Sequence, residues 1–66
     1  MKHMKLFSKV KLMTDNYISM GAKKYDEGYI IEIYHDGNYE VEFSNKESGI
    51  TFAQVVVKHE EVELLE

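Results

Sequence analysis

The chain predicts an all-β fold, a small closed barrel of five strands with a long loop after the first strand. Three observations carry that prediction. Residues 28–43, GYIIEIYHDGNYEVEF, read as a single β-hairpin. Short alternating apolar runs separated by turn residues account for most of the rest. At 66 residues with no cysteine, the chain buries only about 60% of its unfolded surface. Closing the sheet removes exposed strand edges that so small a β-protein has little else to protect.

Residues 1–5 are expected to be a frayed or disordered start, and residues 6–66 a single domain. From Leu6 to Met13 the chain alternates, with Leu6, Ser8, Val10 and Leu12 on one side and Phe7, Lys9, Lys11 and Met13 on the other, as in a half-buried strand. Thr14-Asp15-Asn16 is a turn sequence. Tyr17 to Gly28 has no clean period and reads as the long loop, with room for one short helical turn.

The hairpin comes next, and its register can be derived. Tyr29, Ile31 and Ile33 share a face of one strand, and Tyr39, Val41 and Phe43 share a face of the other. A slip of one residue turns a whole apolar set into water. A two-residue loop at Asp36-Gly37 sets Ile33 against Glu40 and mixes the faces. A three-residue loop, His35-Asp36-Gly37, pairs Ile33 with Tyr39, Ile31 with Val41 and Tyr29 with Phe43. It also puts glycine at the left-handed position such loops need.

Asn45-Lys46-Glu47-Ser48-Gly49 forms the next turn. Ile50–Val57 is rich in β-branched residues and reads as a strand. Its alternation shifts near Ala53-Gln54, as at a bulge. Lys58-His59-Glu60-Glu61 fits a short turn with one 3₁₀ turn, and Val62-Glu63-Leu64-Leu65 a last strand.

Composition limits the chemistry. Without cysteine there is no disulfide and no thiolate nucleophile or metal ligand, which suits a reducing compartment. No apolar run is long enough for a membrane helix. The N-terminal MKHMKLFSKVKLM is too polar for the apolar core of a signal peptide, so a cytoplasmic location is expected. Residues 1–24 carry six lysines and one acid, whereas residues 25–66 carry two lysines and eleven acids. The two parts bear +5 and −9, together the formal −4. Arginine, the usual bidentate reader of phosphate and guanine, is absent. An acidic body without arginine fits a basic protein partner better than nucleic acid.

Gly28-Tyr-Ile-Ile-Glu-Ile-Tyr34, then Asp36-Gly37, then Tyr39-Glu-Val-Glu-Phe43 resembles the pattern of a family of short bacterial proteins classed as a domain of unknown function. That pattern reads G-T-V-V-E-V-Y, D-G and Y-E-V-E-F. The resemblance spans about Phe7 to Leu65 and is specific across the hairpin. It implies an SH3-like barrel, and it carries over no catalytic residues. The family pattern has a second glycine three residues before the first, where this chain has Tyr25. Some members resemble small immunity proteins of toxin systems.

The derived register sets Ile30, Glu32 and Tyr34 on the outer face of one hairpin strand, with Asn38, Glu40 and Glu42 on that of the other. Glu32 stands opposite Glu40, and like charges so opposed repel. The expected partner-binding residues are Glu32, Tyr34, Asp36, Glu40 and Glu42, joined by Glu60 and Glu61 near the C-terminus, with Glu63 beside them. Ile30 and Tyr34 among these acids resemble an interface anchor in a charged surround. The competing readings are a solvated face that discourages aggregation and, for Ile30 and Tyr34, ordinary surface scatter or cover by the Tyr17–Gly28 loop.

His3, His35 and His59 are far apart and have no ligand spacing, so no metal and no cofactor are expected. The serines have no histidine near them in sequence, and two glutamates on a convex face are not a cleft acid and base, so no enzyme activity is expected. The expected function is a non-catalytic protein-binding module, an immunity or antitoxin protein that neutralises a basic, nuclease-type toxin by stoichiometric binding. One alternative is an adaptor subunit of a larger complex. Another is a nucleic-acid-binding barrel using Lys5, Lys9, Lys11 and Phe7.

Overall fold

The computed structural model describes residues 4–65 and is all-β. Five strands, β1 (Lys9–Leu12), β2 (Glu27–Ile33), β3 (Tyr39–Ser44), β4 (Thr51–Val57) and β5 (Val62–Leu65), form one antiparallel sheet in the order β4-β3-β2-β1-β5. Strands β1 to β4 form a meander, and β5 returns to pair with β1. No rung joins β4 to β5 among the described residues. The sheet is therefore a curled SH3-like sheet and not a hydrogen-bonded closed barrel. Two single-turn 3₁₀ segments complete it: Ile18–Met20 in the β1–β2 loop, and His59–Glu61 before β5. Both lie where turns were expected.

The core takes one face of every strand. Val10 and Leu12, Ile30, Val41 and Phe43, Val55 and Val57, and Val62 are buried, together with Ala22 from the long loop. Met4 and Tyr17 pack against this cluster from outside. Of the expected frayed start, residues 1–3 lie outside the described residues. Met4 is half-buried on the core.

The first strand is shorter than its alternation suggests. Leu6-Phe7 is a turn, Phe7 has φ +69°, and Leu6 is exposed instead of facing the core with Val10 and Leu12. Backbone bonds hold this corner in place. Phe7 N–H donates to the Ile30 carbonyl at 2.7 Å, and Ile30 N–H donates to the Ser8 carbonyl at 3.0 Å.

The hairpin register is right at the loop and shifted beyond it. Ile33 pairs with Tyr39 and Glu32 with Glu40, and Gly37 has φ +89°. Tyr34 accepts from the Gly37 N–H at 3.0 Å and donates to the Asn38 carbonyl at 2.9 Å, which closes a three-residue loop. A bulge then falls at Ile31, so Ile30 pairs with Val41, Tyr29 with Glu42 and Gly28 with Phe43. Ile30 is consequently in the core and not on the outer face, whereas Tyr29 is 48% exposed.

Side-chain volume explains the shift. A Cβ at position 28 would lie 2.9 Å from Phe43 Cδ1 and 2.6 Å from the Glu42 carbonyl. Phe43 fills the space that only glycine leaves, and the bulge supplies the extra residue needed to reach that match. A second irregularity sits between Phe43 and Ser44, opposite Thr51–Ala53. It lies one to two residues before the bulge expected at Ala53-Gln54.

Tyr25 has φ +78°, in the left-handed region that favours glycine. This is the position at which the resembling family pattern carries its second glycine.

Candidate functional site

With the bulge in place, the outer face of the sheet divides into two ends. At the hairpin end, β2 and β3 bring Glu32, Tyr34 and Glu40 together, with Glu42 one pleat further along. Gln54 and Val56 of β4 flank this group, since Glu42 pairs with Gln54 and Glu40 with Val56. The three glutamates fall on one face, as the sequence indicates. Ile30 does not join them.

Glu40 is the centre of this cluster. The Tyr34 hydroxyl donates to Oε1 and the Gln54 amide donates to Oε2. These two bonds favour the charged form and hold the Glu40 carboxyl below the usual carboxylate range. The same contact raises the Tyr34 hydroxyl. The carboxylate opposite, on Glu32, is exposed. Glu40 is therefore a positioned anion, while Glu32 repels it from across the ladder.

Asp36 has a local role. Its carboxylate accepts from the Asn38 backbone N–H at 3.0 Å and the Asn38 amide at 3.3 Å, bracing the hairpin loop. His35 is exposed beside it.

Glu60 and Glu61 differ sharply. Glu60 is exposed. Glu61 accepts from the Lys58 backbone N–H at 2.8 Å, the Asn16 amide at 3.2 Å and the Tyr17 hydroxyl. It caps the second 3₁₀ turn and straps the long loop to it. Burial works against its charge, but these bonds win and its carboxyl stays lowered. Tyr17 is pushed up to about 12 by burial and by its bond to Glu61. Glu61 thus serves the fold first. That role was not legible from its charge, because its side-chain partners Asn16 and Tyr17 lie more than forty residues away in sequence. Tyr39 makes a comparable tie, its hydroxyl 2.6 Å from His59 Nδ1.

The opposite end of the outer face is basic and aromatic. Lys9 Nζ and Lys46 Nζ lie 3.5 and 3.3 Å from Glu27 Oε1. The bond from Lys46, then that from Lys9, holds the Glu27 carboxyl low. An open cleft of about 270 Å³ there is lined by Lys9, Glu27, Tyr29, Ser44, Asn45 and Lys46. Glu27 offsets part of the lysine charge that a nucleic-acid backbone would need. Phe7 is exposed, but it sits in the turn before β1 and not in a strand row with Lys9 and Lys11.

Fold and face together define a small all-β SH3-like domain that presents an acidic hairpin surface. The sequence matches the family described as Domain of unknown function (DUF4926) over residues 6–64, and the chain belongs to that family. No curated protein matches it, and no solved structure does. Among the described residues, no helix is long and apolar enough to cross a membrane.

Proposed function

We propose that this chain is a non-catalytic protein-interaction module whose acidic hairpin face binds a basic protein. The observation that carries the reading is the opposition of Glu32 and Glu40, with Glu42 alongside and Tyr34 locking Glu40 in place. A marginal domain gains no stability from facing carboxylates across a ladder. A cationic surface converts that repulsion into attraction on binding, and one fixed carboxylate lowers the ordering cost.

Within this reading, the module is a bacterial cytoplasmic immunity protein or antitoxin. It masks a basic toxin domain stoichiometrically, and a nuclease-type toxin with a phosphate-binding surface is the best match in charge. Glu32, Tyr34, Glu40 and Glu42 make the principal contacts, with Asp36 and Glu60 at the rim. The test is co-expression with the product of the adjacent gene. Rescue of growth that is lost in Glu32→Gln/Glu40→Gln/Glu42→Gln supports immunity. A stable complex without any growth phenotype indicates an adaptor subunit instead.

A further inference from the structure

Strand β4 ends the ladder, and among the described residues it is the only strand without a charged side chain, reading Thr-Phe-Ala-Gln-Val-Val-Val from 51 to 57. Exposed edges in small β-proteins are normally blunted by lysine, proline or a short strand. This edge has seven residues and neither lysine nor proline.

Its free backbone groups can be identified. Tyr34 and Asn38 are bonded to each other, so Asn38, Glu40 and Glu42 face β2, and Tyr39, Val41 and Phe43 face β4. Val57, Val55 and Ala53 answer them on β4. The N–H and C=O groups of Gln54 and Val56 therefore point away from the sheet. No backbone group of another element bonds them among the described residues. The long loop covers only the start of this edge, where a Cβ on Gly21 would lie 3.2 Å from the Phe52 carbonyl.

We propose that β4 is a docking edge for an extended partner strand bearing lysine or arginine at alternate positions. The strand bonds to Gln54 and Val56 and lays its cations over Glu40 and Glu42. An added strand stands about 10 Å from β3, two strand spacings away. Long cationic stems cross that gap above Gln54 and Val56, as the Gln54 amide already reaches Glu40 from β4. Backbone pairing supplies the grip, and the outer-row side chains supply selection. A second copy of the chain is a poorer occupant, because its own β4 has no cation to offer these acids. The inference rests on the acidic-face reading and adds the mode of engagement.

The test uses the isotope-labelled full chain and two synthetic peptides, VKVKVKV and VEVEVEV, with blocked ends. Backbone NMR shifts and amide exchange are followed. VKVKVKV is expected to bind and slow exchange at the Gln54 and Val56 amides, whereas VEVEVEV is not. Glu40→Gln/Glu42→Gln is expected to weaken VKVKVKV by about tenfold. Val56→Lys, an exposed change, is expected to do the same by placing a cation on the edge. Val56→Pro removes an outward N–H without touching the β3 rungs and is expected to abolish the protection.

If VKVKVKV shifts Glu32, Glu40 and Glu42 but leaves Gln54 and Val56 exchanging freely, edge docking is wrong and the acidic-face reading survives. Equal binding of both peptides, or of neither, overturns both ideas. Protection at Gln54 and Val56 that grows with protein concentration alone makes a second copy the occupant and overturns the proposal.

Discussion

Gly28 stands directly across the ladder from Phe43, and the Phe43 ring occupies the space into which a side chain at position 28 would project. A Cβ there would also lie 2.9 Å from Val41 Cγ1. Backbone and core side chains crowd the position together, so no single rotamer change makes room. Gly28→Ala is expected to cost about 2–3 kcal/mol through overpacking. For a domain of this size, that lowers the melting temperature by roughly 10 °C or more. Thermal unfolding followed by circular dichroism measures it.

Tyr25 poses the reverse case. Its φ of +78° is costly for a tyrosine, and its ring is exposed. Lys24 Nζ lies 5.3 Å from the ring centre, a contact of modest worth at an exposed site. Tyr25→Gly is expected to stabilise the domain by about 0.5–1 kcal/mol, the left-handed penalty outweighing the lost entropy and contact. Urea denaturation with an unchanged m-value is the measurement.

Glu61 gives stability a pH signature. Its carboxyl is lowered in the folded state, so its contribution is complete above the ordinary carboxylate range and is lost as pH falls through the lowered value. Tyr17 is raised to about 12, so its contribution is complete below its ordinary value of 10.0 and is lost between there and about 12. Glu61→Gln is expected to cost about 1 kcal/mol at neutral pH, in line with the loss of a charged cap. The gap between variant and wild type should narrow as the pH falls through the lowered value, as a series of denaturation curves taken from neutral into acid pH would show.

Glu32 and Glu40 are not equivalent, although they face each other. Tyr34 and Gln54 reward the charge on Glu40, and Glu32 opposes it. Glu32→Gln is expected to raise the melting temperature by about 1–3 °C. Glu40→Gln should give no such gain. Equal gains from the two changes would mean that the Tyr34 and Gln54 bonds do not form in solution.

These contrasts show which parts of the structure local patterning can reveal. The three-residue loop at His35-Asp36-Gly37 follows from alternation and glycine chemistry, and it sets Glu32 against Glu40 correctly. The bulge at Ile31 does not follow, because its cause is the fit of Phe43 over Gly28, a contact in volume that alternation does not encode. Alternation alone therefore puts Ile30 on the outer face, whereas the bulge turns it into the core. Alternation likewise puts Leu6 on the core side, because the pattern continues through a turn that a backbone bond from Phe7 to Ile30 holds. Glu61 looked like a surface acid because its charge is visible in the sequence and its ties to Asn16 and Tyr17 are not.

The acidic face is tested most directly by titrating the partner captured from the native host with wild-type domain and with Glu32→Gln/Glu40→Gln/Glu42→Gln, at low and high salt. The expected result is affinity about tenfold or more weaker in the variant, with most of the salt dependence gone. Equal affinity and equal salt dependence for the two proteins would contradict the account.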